Sequence, residues 1–166
     1  MTNRRTLLTA TLAAAAALPF VRSFLATPAI AATNTKFAYT LTDEQWRAKL
    51  PGQAYDVLRH EATERPFTSP LNDEHRPGTF ACKGCALPLF SAKTKFDSGT
   101  GWPSFYAPLP KAVGTTTDTT LFMERTEVHC ARCGGHLGHV FDDGPKPTGL
   151  RYCMNGAALT FTPAKV

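Results

Sequence analysis

The chain has 166 residues, which is enough for one globular domain with a hydrophobic core but not comfortably for two. Its formal net charge is +5, yet residues 1–31 hold three arginines and no acid, which leaves 15 basic against 13 acidic residues in the remainder. A nearly neutral body lacks the clustered basic surface of nucleic-acid-binding proteins, so we expect no nucleic-acid partner.

The first 31 residues have the pattern of an export signal. Arg4 and Arg5 precede an apolar run over residues 7–20, and Ala29-Ile30-Ala31 fits a cleavage site of small residues. The run is short for a membrane span, which needs about 20 apolar residues, so we expect no stable membrane anchor. The paired arginines resemble a twin-arginine signal, and an ordinary secretory signal that carries two arginines is the alternative.

These observations predict an exported protein, located in the bacterial periplasm after signal cleavage. The chain then divides into three segments: a signal peptide over residues 1–31, a linker over 32–40 and one domain over 41–166.

Two short helices are predicted at the start of this domain. Thr42 and Gln45 have the spacing of a capping box, and Trp46 and Leu50 then share one helical face. Pro51 and Gly52 interrupt the pattern, and a second helix is predicted over Ala54–Ala62.

After Gly78 the sequence becomes typical of antiparallel β structure. Short runs rich in Phe, Thr, Val and Leu alternate with turns that contain Gly, Pro and Asp. Strands are predicted over Thr79–Ala81, Leu87–Phe90, Thr119–Arg125 and Ala158–Thr162. The fold class is therefore expected to be mainly β.

Four of the five cysteines form two matched Cys-x-x-Cys pairs: Cys82 with Cys85, and Cys130 with Cys133. Two such pairs supply the four soft ligands of a tetrahedral zinc site, and four protein ligands leave no open position for catalysis. We therefore expect one structural Zn²⁺. Two disulfides, which an exported protein permits, and a redox dithiol in one pair are the alternatives.

Cys153 is the cysteine that remains. Arg151 lies two residues earlier, and residues two apart in a strand point to the same side of the sheet. Such a cation can lower the thiol pKa from about 8.5 and so increase the thiolate fraction. The alternative is an inert cysteine buried between Tyr152 and Met154.

The longer motifs resemble the methionine-R-sulfoxide reductase family in its zinc-containing form. These motifs are residues 78–85, 89–105, 136–145 and 149–155, with a weaker match at 63–67. The resemblance extends from about Leu41 to Phe161. It implies two antiparallel sheets in a barrel-like arrangement, preceded by short helices, and it assigns the four paired cysteines to zinc.

The resemblance also implies roles for individual residues. Cys153 matches the nucleophile, and Arg151 matches the cation beside it. Trp102 matches the indole that contacts the methyl group of the sulfoxide. The polar groups around the sulfoxide oxygen and its bound water are matched by His136, His139 and Asn155.

The implied reaction is thiol-dependent reduction of protein-bound methionine-R-sulfoxide, with the free amino acid as a second candidate substrate. A sulfoxide has an electrophilic sulfur and a basic oxygen, so it requires a soft nucleophile and a proton source. Cys153 meets the first need, and the imidazole of His139 is the leading proton donor. The oxygen then lies on Cys153 as a sulfenic acid, and methionine leaves.

Thr100 is a departure from the family pattern. Members with an internal recycling cysteine often carry it at this position, and the other four cysteines here are assigned to zinc. We therefore expect an external thioredoxin-like thiol to regenerate Cys153, in a protein that acts as a monomer on oxidised proteins. A non-catalytic zinc-knuckle binding module and a cysteine hydrolase are the competing functional interpretations.

Overall fold

The computed structural model describes residues 37–120 and 123–165. The predicted signal peptide, with its twin-arginine motif and cleavage site, lies outside these residues. Within the described ranges, no helix combines the length and the apolar character that a membrane crossing requires.

Two helices open the described domain. Helix α1 spans Asp43–Lys49, and the predicted capping box is present at its start, since Thr42 and Gln45 each accept a hydrogen bond from the other's backbone N–H. Helix α2 spans Gln53–His60 and ends two residues before the predicted boundary, because Glu61 adopts a left-handed backbone at φ 55°.

The remaining elements are nine strands, counted within the described residues. They are β1 (Gly78–Cys82), β2 (Pro88–Ser91), β3 (Lys95–Phe96), β4 (Ser104–Phe105), β5 (Val113–Asp118), β6 (Arg125–Cys130), β7 (His136–Phe141), β8 (Arg151–Met154) and β9 (Leu159–Pro163). They form a three-stranded sheet in the order β2-β1-β9 and a six-stranded sheet in the order β3-β4-β8-β7-β6-β5. Every pairing is antiparallel, so the predicted mainly β class is confirmed.

The expected barrel-like arrangement is not found. Closure would require the two edge strands of the larger sheet, β3 and β5, to pair with each other, and in the described residues they do not. Strand β3 has only two residues, which gives it few pairing positions beyond those used by β4. Both sheets are therefore open.

The strand predicted over Thr119–Arg125 is also wrong. Strand β5 ends at Asp118 and the antiparallel strand β6 begins at Arg125, and the described residues between them, 119–120 and 123–124, belong to neither strand. The carboxylate of Asp118 accepts hydrogen bonds from the backbone N–H and the hydroxyl of Thr120, which favours a turn over a continued strand.

Aromatic side chains join the two sheets. Phe90 of the smaller sheet stacks on Phe105 of the larger one with ring centroids 4.4 Å apart, and Phe80 meets the same ring edge-on at 5.0 Å. All three side chains are fully buried. This contact fixes β4, and with it the strand that pairs with β8 and Cys153.

The segment from Phe37 to Thr40 falls in the range predicted to be a linker. The backbone N–H of Tyr39 donates to the carbonyl of Arg132 at 3.0 Å, and the ring of Phe37 lies 5.8 Å from that of His129. These residues therefore contact the loop that carries the second cysteine pair.

Candidate active site and metal centre

Each cysteine pair lies at the end of a strand. Cys82 is the last residue of β1, and Cys130 is the last residue of β6. Tight turns follow both: Ala86 N–H donates to the Cys82 carbonyl at 2.7 Å, and Gly134 N–H donates to the Cys130 carbonyl at 2.9 Å. The two pairs thus start from different sheets and converge on one point.

The four sulfur atoms form a compact cluster. All lie within 4.8 Å of one another, with Cys82 Sγ 3.7 Å from Cys133 Sγ and Cys85 Sγ 3.5 Å from Cys130 Sγ. A tetrahedral site with metal–sulfur bonds of about 2.3 Å places its sulfurs about 3.8 Å apart. All four thiols are buried and free of disulfides. The donor set and the spacing therefore fit a four-coordinate metal ion, which would connect the two sheets.

Cys153 lies in β8, between the neighbouring strands β4 and β7. It pairs with Ser104 of β4 on one side and with His139 of β7 on the other. Residues directly opposite in antiparallel strands share one face, with Cβ atoms about 4.5–5.5 Å apart. The register therefore brings the predicted nucleophile and the predicted proton donor side by side.

The thiol of Cys153 is partly buried and has Thr100 as a hydroxyl partner. The Sγ atom lies 3.8 Å from Thr100 Oγ1, which contacts Ser98 Oγ at 2.8 Å. Burial raises the pKa of this thiol, although Thr100, Arg151 and Ser104 act in the opposite direction. The lowering of the pKa expected from Arg151 is therefore smaller than the rise caused by burial, and the resting side chain is the neutral thiol.

Arg151 is held beside the cavity by two contacts. Its Nε and Nη2 atoms donate to the carboxylate of Asp143, each at 2.8 Å, and its guanidinium lies 4.4 Å from the ring centroid of Phe141. The hydrogen bonds that Arg151 donates to Asp143 raise the pKa of the guanidinium, and this effect is larger than the opposing effect of burial. Arg151 thus remains a fixed cation close to Cys153.

His139 forms a histidine–carboxylate pair with Asp118. The Nε2 atom lies 2.8 Å from Asp118 Oδ2, and the same carboxylate accepts from Arg125 at 2.7 Å. Burial lowers the pKa of His139 despite this hydrogen bond, while hydrogen bonds from Thr120 and His139 hold the pKa of Asp118 well below its ordinary range. At neutral pH the imidazole is neutral and can accept a proton.

His136 forms a second pair of this kind, deeper in the protein. Its Nδ1 atom lies 2.9 Å from Glu127 Oε1, and the side chain is 3% exposed. Burial alone would raise the pKa of Glu127, but hydrogen bonds with His129 and His136 lower it to about 2. The ring of His136 meets that of His139 edge-on at 5.4 Å, so it supports the orientation of His139.

Asn155 and Trp102 are both tied to Glu64. The side chain of Asn155 accepts from the Glu64 backbone N–H at 2.9 Å and donates to the Leu137 carbonyl at 3.1 Å, while Trp102 Nε1 donates to the Glu64 carbonyl at 3.1 Å. The buried carboxylate of Glu64 accepts the backbone N–H groups of Gly156 at 2.5 Å and Ala157 at 2.8 Å. Both the oxygen and the nitrogen of the Asn155 side-chain amide are therefore engaged in hydrogen bonds to the backbone.

One cavity of about 130 Å³ brings most of these groups together. It is lined by Thr63, Trp102, Arg125, Gly138, His139, Phe141, Cys153 and Asn155. Among the sequence-predicted residues, Cys153, His139, Trp102 and Asn155 line this cavity. Arg151 and His136 do not line it, and each contacts a residue or ring that does.

Sequence reasoning did not find the acids that hold these groups. Asp118 and Glu127 lie on β5 and β6, on the same sheet face as His139, and only the strand register shows it. The Glu-x-His spacing at residues 127–129 and the His-x-x-His spacing at residues 136–139 are the signals that the sequence offers. The pairing of Asp143 with Arg151, eight positions apart, is likewise seen only in the structure.

Comparison with known proteins agrees with this geometry. The SelR domain family matches residues 50–163. Proteins named peptide methionine sulfoxide reductase MsrB are similar to this chain along most of their length. The one from Thiobacillus denitrificans is 58% identical over 123 residues, which cover 74% of this chain and 93% of that protein. The one from Pseudomonas putida is also 58% identical over 123 residues, which cover 74% of this chain and 92% of that protein. The relative from Agrobacterium fabrum is 52% identical over 123 residues (74% and 91%). The chain therefore belongs to the MsrB family of peptide methionine sulfoxide reductases and is an oxidoreductase.

Proposed function

We propose that the chain reduces the R epimer of methionine sulfoxide in proteins, with Cys153 as the nucleophile and a sulfenic acid as the intermediate. The observation that carries this proposal is the position of Cys153: it lies opposite His139 on one sheet face and opens into a cavity lined by Trp102. A thiol, a neutral imidazole and an apolar wall are the three groups that sulfoxide reduction requires.

The first step transfers the thiol proton to His139. Cys153 and His139 are both neutral at rest, because burial raises the pKa of the thiol and lowers that of the imidazole. When the sulfoxide enters the cavity, His139 accepts the proton and the thiolate attacks the sulfoxide sulfur. The imidazolium then gives this proton to the sulfoxide oxygen, and Asp118 stabilises the transient charge.

The second step moves the hydroxyl group from the substrate sulfur to Cys153 Sγ. The Sγ–O bond forms while two bonds break, the one between Cys153 Sγ and the substrate sulfur and the one between the substrate sulfur and oxygen. Methionine is thereby reduced by two electrons, and Cys153 is oxidised by two electrons to the sulfenic acid. The fixed positive charge of Arg151 favours the thiolate that starts the sequence.

Trp102 supports the proposed epimer preference. Its indole lines the cavity, and the bond from Nε1 to the Glu64 carbonyl fixes the plane of the ring. A methyl group that packs on this wall leaves only one configuration in which the oxygen faces His139. The other epimer would direct its oxygen away from the proton donor.

An external thiol completes the cycle. The hydroxyl of Thr100 lies 3.8 Å from Cys153 Sγ, and the four remaining cysteines lie together in a separate buried cluster. One external thiol condenses with the sulfenic acid to release water, and a second thiol reduces the mixed disulfide to restore Cys153. A thioredoxin-like exported protein is the proposed donor.

We propose that the ion at Cys82, Cys85, Cys130 and Cys133 is Zn²⁺. The sulfur spacing supports this identity, and zinc would stabilise the fold without reacting, since four thiolates complete its coordination. Export by the twin-arginine route would carry a folded, metal-loaded monomer to the periplasm. The adjacent Arg4 and Arg5 support that route, and Arg4→Lys with Arg5→Lys should abolish export if it is used.

Separated epimers test the proposed reaction. The wild-type protein should reduce the R form of a methionine-sulfoxide peptide and leave the S form, with dithiothreitol as reductant. Cys153→Ser should lose all activity, and wild-type protein given substrate without reductant should gain one oxygen atom on Cys153 by mass spectrometry. Equal reduction of both epimers, or activity in the Cys153→Ser variant, would contradict the proposal.

A further inference from the structure

A second cavity of about 140 Å³ adjoins the active-site cavity, and Trp102 lines both. Its other walls include Phe67, Phe96, Asp73, Lys95 and Asp97. None of these residues takes part in the proposed chemistry. Because the two cavities share Trp102, the residues that flank a methionine sulfoxide bound in the first cavity can reach this surface.

Phe67 is the most conspicuous feature of the second cavity. Its side chain is 72% exposed, the largest exposure among the large hydrophobic residues that the structure describes, and its backbone is left-handed at φ 62°. An exposed aromatic ring and a left-handed bulky residue are each unfavourable for folding alone. Residues held in such conformations concentrate at functional sites.

The segment that carries Phe67 is firmly attached to the Trp102 loop. The Phe67 N–H donates to the Gly101 carbonyl at 2.8 Å, and Asn72 Nδ2 donates to the same oxygen at 2.9 Å. Gly101 has φ +90°, and a Cβ there would lie 2.8 Å from Phe67 N and from Pro66 Cβ. The exposed ring is thus held at a defined position next to Trp102.

The charges of the second cavity are mainly negative. Asp73 and Asp97 line it, and within residues 37–120 and 123–165 neither carboxylate forms an ion pair. Lys95 and His75 are the basic side chains of the wall, and Lys95 is half-buried with its Nζ donating to the Asn72 carbonyl at 2.7 Å. Asp97 accepts a hydrogen bond from the Gly99 backbone N–H at 2.8 Å, which leaves its negative charge in place. An exposed ring beside two carboxylates favours a cationic side chain, and arginine best of all.

We propose that this second cavity binds a side chain flanking the methionine sulfoxide in a polypeptide substrate, with a preference for arginine or lysine. The inference rests on the proposed function and adds a substrate class to it. The guanidinium stacks on Phe67, and its charge faces Asp73 and Asp97. A free methionine sulfoxide derivative has no flanking residue and makes none of these contacts.

Matched peptides test the preference. The substrates are acetylated pentapeptides with R-methionine sulfoxide at the centre and Arg, Ala or Glu at the flanking positions, compared with N-acetyl-methionine-R-sulfoxide. Dithiothreitol serves as reductant, so no protein donor is present. We expect the arginine peptide to have a kcat/KM about five- to tenfold above that of the glutamate peptide, through a lower KM.

Variants assign the preference to the cavity. Phe67→Ala should raise the KM for the arginine peptide about fivefold and leave N-acetyl-methionine-R-sulfoxide unchanged, while Phe67→Tyr, which keeps the ring, should behave like wild type. Asp73→Asn with Asp97→Asn should abolish the difference between arginine and glutamate peptides. Met123→Ala alters the other exposed large hydrophobic side chain, 56% exposed, and should change nothing.

Three outcomes would overturn the inference while the proposed function stands. One is equal kcat/KM for all peptides in wild-type protein that still reduces the acetylated amino acid. Another is an effect of Phe67→Ala that is as large for that amino acid as for the peptides. The third is an effect that appears only with a thioredoxin-like protein as reductant, which would place the donor on this surface.

Discussion

At the scale of single residues, Cys153 and Thr100 decide how the enzyme is recycled. Thr100 Oγ1 lies 3.8 Å from Cys153 Sγ, on a loop bounded by Gly99 and Gly101, which both adopt left-handed backbones. The position where other members hold a recycling thiol is therefore next to the nucleophile here, but it carries a hydroxyl. A hydroxyl cannot form a disulfide, so in the proposed cycle an external thiol reduces the sulfenic acid.

Thr100→Cys should convert the chain to an internal disulfide cycle. The new sulfur would start close to Cys153 Sγ, and a small movement of the glycine-bounded loop would complete a bond of about 2.05 Å. After one equivalent of substrate without reductant, intact mass should show a loss of two hydrogens instead of a gain of one oxygen. Thr100→Ser is the matched control and should keep the sulfenic acid; a persistent sulfenic acid in Thr100→Cys would contradict the geometry.

Asp118→Asn should change the pH dependence of catalysis. In the proposed mechanism His139 is neutral when it accepts the thiol proton, so its pKa sets the acid limb of kcat/KM. The carboxylate of Asp118 raises that pKa, while burial and Arg125 lower it. Removing the negative charge should therefore move the acid limb to lower pH and reduce kcat/KM about 10- to 100-fold.

A pH–rate profile on a methionine-sulfoxide peptide measures this shift. Asp142→Asn is the control, since Asp142 is an exposed acid in the turn after β7. The control should leave both the profile and the rate unchanged. An acid limb that moves to higher pH in Asp118→Asn would show that another group limits the reaction.

At the scale of elements, Glu64 connects the chain before the sheets to the end of β8. Its carboxylate accepts the N–H groups of Gly156 and Ala157, and its backbone holds Asn155 and Trp102. Hydrogen bonds to a buried charge contribute about 1.5–3 kcal/mol each. Two walls of the active-site cavity are therefore positioned by a residue that does not line it.

Glu64→Gln should destabilise the protein by about 1–3 kcal/mol. The amide nitrogen of glutamine cannot accept a hydrogen bond, so one of the two backbone N–H groups, Gly156 or Ala157, would lose its acceptor. Urea unfolding measures the change in free energy. Glu61→Gln removes an exposed acid three residues earlier and should stay within about 0.5 kcal/mol of wild type. An unchanged midpoint in Glu64→Gln would show that the Gly156 and Ala157 contacts contribute little.

The sequence was informative where chemistry is local and less so where it depends on register. The capping box at Thr42 and the two Cys-x-x-Cys pairs are fixed by spacings of a few residues, and both form as predicted. The pairing of His139 with Asp118 joins residues 21 positions apart through two strand pairings, one of which contains a bulge at His129. Such a bulge changes which side chains share a face, and hydrophobic alternation alone does not locate it.

The same dependence on strand pairing explains why the strand predicted over Thr119–Arg125 is wrong. Its Thr, Leu, Phe and Met residues favour a strand, but the polar run Val113–Asp118 before it forms β5 instead. Strand β5 is the edge of the larger sheet, and its Thr side chains are largely exposed. Edge strands do not need apolar residues on both faces, so a Thr-rich segment can pair there.

At the scale of the whole molecule, the cysteine cluster connects two sheets between which the described residues form no strand pairing. Cys82 ends β1 of the smaller sheet and Cys130 ends β6 of the larger one, and their sulfurs belong to one cluster. The aromatic contacts of Phe105 with Phe90 and Phe80 form another junction between them. A metal ion at the cluster would therefore fix the relative position of the two sheets. In this way it would also stabilise the position of β4 beside β8.

Removal of the metal should therefore loosen the entire domain. Binding at a site of this type supplies about 10 kcal/mol of folding free energy, which exceeds the net stability of many small domains. Chelation, or Cys85→Ser, should remove one metal ion per chain, lower Tm by tens of degrees and abolish activity.

Cys153→Ser is the matched control: it removes a thiol of the same chain outside the cluster, so it should lose activity and keep both its metal and its Tm. Metal analysis and calorimetry on the two variants separate the roles, and a metal-depleted protein with an unchanged Tm would show that the sheets hold together without the ion.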